Sequence, residues 1–278
     1  MEASAANSVV WRLGTTGLAF DGWVGSFYPA GLSKTRWIEF YARRFNALEL
    51  NTTFYATPVP ERIAAWIKAV PPTFRFSAKV GKHITHDAPL SAGVEPLRQF
   101  LRACRPFGAA LSLLLLQLPP SVTVRELDPL RKLLDAWRAE TADDWRPGFA
   151  VEFRHRSWLD DRATDLLREY GAARVGLEHD DCPAMSAMVS TAERLYVRLV
   201  GKHGRYETET HELFDPTPQL AVWLERIRAA ITSETREVWV LFNNDFAGHG
   251  PATLRRFAKL AGIPLDEPAP PPKQKSLF

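Results

Sequence analysis

The stretch "VEFRHRSW", residues 151–158, sets Glu152 and Arg154 between the apolar Val151 and Phe153. Strand side chains alternate between two faces, so the carboxylate and guanidinium share one face and the apolar pair takes the other. The same device recurs at the ends of other apolar runs. "ALELN" closes with Glu49 and Asn51 on one face, and "FRFSAKV" sets Arg75, Ser77 and Lys79 against Phe74, Phe76 and Ala78. "ALSLLLLQL" carries Gln117, "RLYVRLV" carries Arg198, and "EVWVLFN" runs into Asn243, Asn244 and Asp245. Lys79, Arg154 and Arg198 favour an anion, because guanidinium forks and an ammonium point charge suit phosphate or carboxylate oxygens. Asn51, Gln117 and Asn243 add neutral hydrogen bonds, and His83 and His86 follow the third run. Tyr55, Trp23 and Trp158 offer rings that would stack on a base or sugar. Glu49 and Glu152 are the candidate general acid and base, with Lys79 next in line. Two carboxylates also fit glycoside hydrolysis, where their separation would set the outcome.

A bland alternative is a buried ionic network, Glu49 with Lys79 and Glu152 with Arg154 or Arg198. Desolvation of such pairs can exceed their Coulombic gain, so several of them at one end of the strands argue for a site. A metal is the weaker expectation. His83, His86, His155, His179 and Asp180 are ligands by type, but no HExxH occurs and the histidines follow three different runs. No cofactor is expected, and a divalent metal is kept only as a lesser option. Nucleophilic catalysis has little support, since G-x-S-x-G is absent and Cys182 has only His179 nearby.

The elements that must position these groups alternate along the whole chain. Candidate strands cover 9–14, 47–51, 74–80, 110–118, 148–154, 172–177, 194–200 and 237–243. Most are separated by stretches with apolar residues at i, i+3 and i+4, the helical spacing. In "SKTRWIEFYARRF", Trp37, Phe40, Tyr41 and Phe45 form one stripe, with Ser33 as N-cap. The connection after the sixth strand, "EHDDCPAMSAMVSTAE", has no such spacing and reads as a loop. Eight strands with seven helices predict an α/β fold, a single (β/α)8 TIM barrel. A doubly wound open sheet is the runner-up, but "GTTGLAFDGW" is not its glycine-rich phosphate turn. In a barrel, the polar strand ends become the rim of the active-site mouth.

With 46% hydrophobic and 24% charged residues, the 278-residue chain has the make-up of a soluble globular protein. A net charge of +3 is too small to argue for nucleic acid by itself. Cys104 and Cys182 form no framework and no CxxC pair, which suits a reducing cytoplasm. The start, "MEASAANSVV", has no signal-peptide pattern, and the greasiest run is far shorter than the roughly 20 residues a membrane helix needs. The expectation is a cytoplasmic protein with a disordered residue 1–8 segment, a barrel domain over 9–265 and a Pro-rich flexible tail over 266–278.

"RLGTTG…WVGSFYP", "FYARRFNALELNTTFYATP", "FRFSAKVGKHITHD", "LLLLQLPPS", "VEFRHRSW", "LYVRLVG" and "LFNND" occur in that order. Together they resemble the YecE-like family, uncharacterised cytoplasmic TIM-barrel proteins, over roughly residues 9–262. The resemblance implies a TIM barrel and no established reaction. Its motif positions here are Asn51, Thr53, Phe54, Tyr55, Lys79, His86, Gln117, Glu152, Arg154, Trp158, Arg198, Asn243 and Asp245. The chain departs from the family at Leu18, where Trp is usual, and at Val200, where His is usual.

The end of the tail, "QKSLF", is a separate signal. Gln274, Leu277 and Phe278 resemble the pentapeptide by which bacterial replication and repair proteins dock on the DNA sliding clamp, an anchor-in-pocket peptide on a flexible tether. The leading expectation is an enzyme that binds a phosphate-bearing ligand (a nucleotide, nucleic acid or phosphorylated metabolite) at the mouth, with phosphoester hydrolysis as one version. A non-catalytic nucleic-acid-associated module docked to the clamp is the alternative, and a sugar-processing enzyme a further one. No membrane partner is expected.

Overall fold

The computed structural model describes residues 9–141 and 144–265. All eight expected strands form: β1 (Val10–Thr15), β2 (Ala47–Leu50), β3 (Arg75–Lys79), β4 (Leu111–Gln117), β5 (Gly148–Glu152), β6 (Ala173–Glu178), β7 (Arg194–Leu199) and β8 (Glu237–Phe242). Each pairs in parallel with the next, and β8 pairs with β1 to close the barrel. The TIM-barrel expectation therefore holds.

Outward strand residues such as Leu48, Phe76, Val151, Val197 and Val240 pack under the helices in one buried cluster. A second cluster fills the barrel itself, with Ala47, Leu113, Leu115, Ala150, Val175, Tyr196, Trp239 and Leu241. One strand does not keep simple alternation. The register between β3 and β4 slips after Phe76, which pairs Leu111, so that Ser77 pairs Leu113. Ser112 is the extra residue, and the bulge puts Leu111 under the helices and Leu113 inside the barrel. The seam between β1 and β2 is the thinnest and is sewn by side chains. Tyr41 Oη accepts from Thr15 N at 2.8 Å and donates to the Ala47 carbonyl at 3.0 Å. Asn46 does the same work one step lower, accepting from Leu13 N and donating to the Trp11 carbonyl, both at 2.8 Å. Gly14 is required there, because a Cβ on it would lie 2.2 Å from the Ala47 oxygen.

The helices follow the expected order, and three features stand out. The first is shorter than its stripe suggests: α1 spans only Trp37–Ala42, after a 3-10 turn at Lys34–Arg36. Ser33 does not cap it, since its hydroxyl pairs with Thr35 Oγ1 at 2.9 Å. Second, single helical turns follow three strands at the mouth: α2 (Thr52–Tyr55), α4 (Lys82–Thr85) and α9 (Asn244–Ala247). Third, β6 leads through a 3-10 turn at Pro183–Ser186 straight to β7, with no α-helix, as the loop reading expected. The longer helices are α3 (Pro60–Lys68), α5 (Val94–Cys104), α6 (Leu127–Glu140), α7 (Asp161–Tyr170), α8 (Thr217–Ala230) and α10 (Gly250–Ala261). α7 shows the full start and stop chemistry: Asp160 caps it by accepting from Arg162 N at 2.9 Å, and Gly171 ends it at φ 64°.

No helix among the described residues is long and apolar enough to cross a membrane. The expected residue 1–8 segment and the tail with Gln274, Leu277 and Phe278 lie outside the described residues.

Candidate functional site

At the C-terminal end of the barrel, β2, β3, β5 and β7 bring together Glu49, Ser77, Lys79, Glu152, Tyr196 and Arg198. Arg198 is the hub. Its Nε and Nη2 donate to the two oxygens of Glu49 at 2.9 and 2.8 Å, and its Nη1 donates to Glu152 Oε2. Arg154 Nε donates to the other Glu152 oxygen, Oε1. The Tyr196 hydroxyl donates to Glu49 Oε2 at 2.9 Å and lies 2.7 Å from Ser77 Oγ. Glu49 and Glu152 are 0% exposed and Arg198 3%, so every charge-bearing atom of this trio spends its valence on another. Burial alone would push the Glu152 carboxyl up. Arg198, Arg154 and Lys79 together outweigh it and bring the pKa down to about 2. Burial likewise disfavours charge on Arg198, and the two carboxylates more than restore it.

Arg154 and Lys79 differ from the hub in having capacity left. Arg154 is half-buried, and neither of its terminal nitrogens makes a hydrogen bond among the described residues. Lys79 is half-buried, with Nζ 3.9 Å from the centre of the Phe54 ring and no hydrogen bond or ion pair among the described residues. Burial first, and then the Arg198 charge, lowers its pKa to about 8 against the opposing pull of Glu152 and Glu49. His86 meets the Phe54 ring edge-on with centroids 5.0 Å apart, and its Nδ1 lies 2.6 Å from Thr85 Oγ1. Burial, then Lys79, keeps its imidazole below the usual range. Gln117 pairs with Glu152 across β4 and β5, and its amide has no partner among the described residues. Asn51 donates to the Thr16 carbonyl at 3.1 Å, while its buried Oδ1 and the neighbouring Thr16 Oγ1 have no partner among the described residues. Buried polar atoms without partners are uncommon in folded proteins.

Other expected contacts fall elsewhere. Trp158 is 0% exposed, stacked on Phe153 at 4.5 Å with its indole N–H given to the Val122 carbonyl at 2.8 Å. Trp23 is also 0% exposed and donates to Asn244 Oδ1 at 2.9 Å. Neither ring offers a face, so the stacking role expected of both is corrected to packing. Tyr55 is 75% exposed and stands outside the cluster. Asn243 accepts from Asp245 N at 3.4 Å as the cap of α9. Asp245 Oδ1 accepts from Gly204 N at 3.2 Å, and its Oδ2 lies 3.4 Å from His203 Nδ1. Barrels of this class often seat phosphate between the loops after their seventh and eighth strands. Here a carboxylate fills that corner, which leaves Lys79 and Arg154 as the cationic side of the mouth. Among the described residues, no three His, Cys, Asp or Glu side chains gather to hold a metal.

Tyr196 escaped sequence reasoning, and Ser77, read on the polar face of its strand, was given no role there. Tyr196 sits two before Arg198, so alternation puts both on the inner face, and Ser77 stands likewise two before Lys79. The charged neighbours drew the attention that the hydroxyls deserved. The two departures from the resembled family are both quiet: Val200 is buried and donates its N–H to the Glu178 carbonyl at 3.1 Å, and the Leu18 carbonyl accepts from Tyr28 Oη at 2.8 Å.

Comparison with known proteins agrees with this architecture. Residues 12–276 match the family described as "Protein of unknown function DUF72". The UPF0759 protein YecE of Escherichia coli (strain K12) is 28% identical over 213 residues, covering 68% of this chain and 73% of that protein. The UPF0759 protein YunF of Bacillus subtilis (strain 168) is 24% identical over 280 residues, covering 91% and 95%. Among solved structures, a DUF72 family protein from Thermotoga maritima superposes with a TM-score of 0.73 at 24% identity, covering 91% of this chain and 99% of that one.

Proposed function

The chain belongs to the DUF72 family, whose function is unknown, and from that premise we propose an enzyme that holds a phosphate-bearing ligand at the barrel mouth. Arg154 is the anion clamp, with Lys79 beside it as the group that moves a proton. The observation that carries this reading is the asymmetry of the cluster. Arg198 is spent on two carboxylates out of reach of solvent, while among the described residues Arg154 keeps two terminal nitrogens without hydrogen bonds and Lys79 an unpaired amine. Terminal guanidinium nitrogens suit phosphate oxygens, and the amide of Gln117 and the orphaned oxygen of Asn51 supply neutral contacts beside them.

Proton transfer goes to Lys79 rather than to Glu49 or Glu152. The Glu152 carboxylate, held near pKa 2, is a poor base at neutral pH, and both oxygens of Glu49 are engaged by Arg198 and Tyr196, whereas an amine near 8 is poised for the task. The fully buried Glu49 and Glu152 act instead by fixing Arg198 beside Lys79, whose amine is discharged chiefly by burial. A sugar-processing role loses its support on two counts: the Trp23 and Trp158 rings are buried, and the Arg198 guanidinium bridges the carboxylates that would have to flank a glycosidic bond.

Titration calorimetry with inorganic phosphate and with phosphorylated metabolites tests the reading. Binding that weakens at least about tenfold in Arg154→Gln, roughly the loss of one charge-assisted hydrogen bond, supports it. Equal binding by both proteins removes it.

The tail carries a second reading. A non-catalytic, nucleic-acid-associated role docked to the DNA sliding clamp rests on the Gln274–Phe278 motif alone.

A further inference from the structure

Lys79 is the single lysine carried by any of the eight strands. Its inward face is shared with two carboxylates, Glu49 and Glu152, and two guanidinium groups, Arg154 and Arg198. Those four charges cancel. A protonated Lys79 would therefore add an uncompensated charge to a half-buried layer, and a neutral one leaves the layer balanced. The Phe54 face at 3.9 Å favours the ammonium in part, but no oxygen among the described residues accepts a hydrogen bond from it. An amine desolvated beside other cations is the state in which a lysine becomes a nucleophile.

We propose that Lys79 is an imine-forming residue, and that the ligand of the mouth is a phosphate-bearing aldehyde or ketone. The inference rests on the phosphate reading above and names its substrate class. Arg154 would hold the phosphate and leave the carbonyl carbon to face Nζ. The neutral amine attacks that carbon, the carbonyl π pair moves onto oxygen, and oxygen takes up a proton as nitrogen gives one up. The carbinolamine then loses its hydroxyl as water, forming the C=N bond, so amine plus carbonyl gives imine plus water with no redox partner. His86, edge-on to the same Phe54 ring and held below the usual imidazole range by burial and Lys79, would exchange these protons.

A half-buried amine with no partner among the described residues, and not its depressed pKa alone, sets Lys79 apart, since Lys68, Lys132 and Lys259 also lack a partner there but are exposed. Lys34, Lys82 and Lys202 each reach a carboxylate on the exposed surface, at 2.6, 3.4 and 3.6 Å.

Trapping with borohydride tests the proposal on the full-length protein. Hydride adds to the imine carbon and a proton to nitrogen, leaving a stable adduct that peptide mass mapping locates. With sub-millimolar dihydroxyacetone phosphate as the probe, the expected result is a single adduct on the Lys79 peptide. It should be absent in Lys79→Arg, suppressed by excess inorganic phosphate, and at least tenfold weaker with unphosphorylated dihydroxyacetone. Its rate should rise with pH and level off near 8, far below the range of an exposed lysine. Adducts spread over surface lysines, or none on Lys79, overturn the imine. Mapping on the unmodified sequence keeps the test valid even where a variant misfolds. If inorganic phosphate still binds and Arg154→Gln still weakens it, the phosphate reading survives that failure. If a Lys79 adduct forms equally well with the unphosphorylated ketone, the imine stands without the phosphate.

Discussion

Arg198 grips Glu49 through two parallel bonds, Nε to Oε2 at 2.9 Å and Nη2 to Oε1 at 2.8 Å, across 149 residues of chain. The same guanidinium also reaches Glu152, so one side chain neutralises carboxylates from two strands that are not neighbours in the barrel. Removing it leaves Glu49 with no cationic partner, only the Tyr196 hydroxyl, and leaves Glu152 to Arg154.

Arg198→Met should therefore be among the most damaging single changes at the mouth. Truncating one partner of a buried ion pair costs about 3–5 kcal/mol, because the partner charge stays buried and unpaired. Urea unfolding of the variant against the parent measures it. A loss below about 1 kcal/mol, the range of a surface pair, would contradict the buried network described here.

Glu152 sets the acid limb. Its pKa falls from 4.5 unfolded to about 2 folded, so the stability it supplies is complete above the unfolded value and disappears as pH drops through 2. The stability difference between the parent and Glu152→Gln should be widest above about pH 5 and shrink steadily towards pH 2. Denaturant titrations at half-unit pH steps would show this, and a difference constant across that window would count against it.

Lys79 works in the opposite direction. Its folded pKa near 8 lies below the ordinary 10.5, so between those values the unfolded chain holds more protons and stability rises with pH. Below pH 8 the cost of burying the ammonium is felt in full. Lys79→Met should then be more stable than the parent by about 1–3 kcal/mol at pH 7, with the gap closing towards pH 10.5. A Lys79→Met variant less stable at pH 7 would mean that the ammonium is satisfied in the fold.

Deleting Gln274–Phe278 should abolish binding to the DNA sliding clamp and leave phosphate binding at the mouth unchanged. Surface plasmon resonance on immobilised clamp, run with and without the pentapeptide, separates the outcomes. Equal clamp binding by the shortened chain would remove the docking reading.

The sequence by itself determined the barrel and the face on which its polar groups lie. Period-two alternation is a local property of a strand, so Glu152 and Arg154 could be assigned to the inside, and Val151 and Phe153 to the helices, from eight letters. The strand order followed from the alternation of elements, and the missing helix after β6 from a run without helical spacing. Only the tertiary structure decided who pairs with whom. Lys79 and Arg198 are equally cationic in the sequence, yet barrel closure carries Arg198 between Glu49 and Glu152 and leaves Lys79 against the Phe54 ring. Trp158 reads as a stacking platform until Phe153 and the Val122 carbonyl are seen to enclose it. The bulge at Ser112 is hidden too, because "LSLLLLQ" is apolar on both faces and carries no alternation to betray a slip. Local periodicity fixes which way a side chain points. Which charges are spent, and which one is left over to react, depends on contacts between strands that only closure of the barrel brings together.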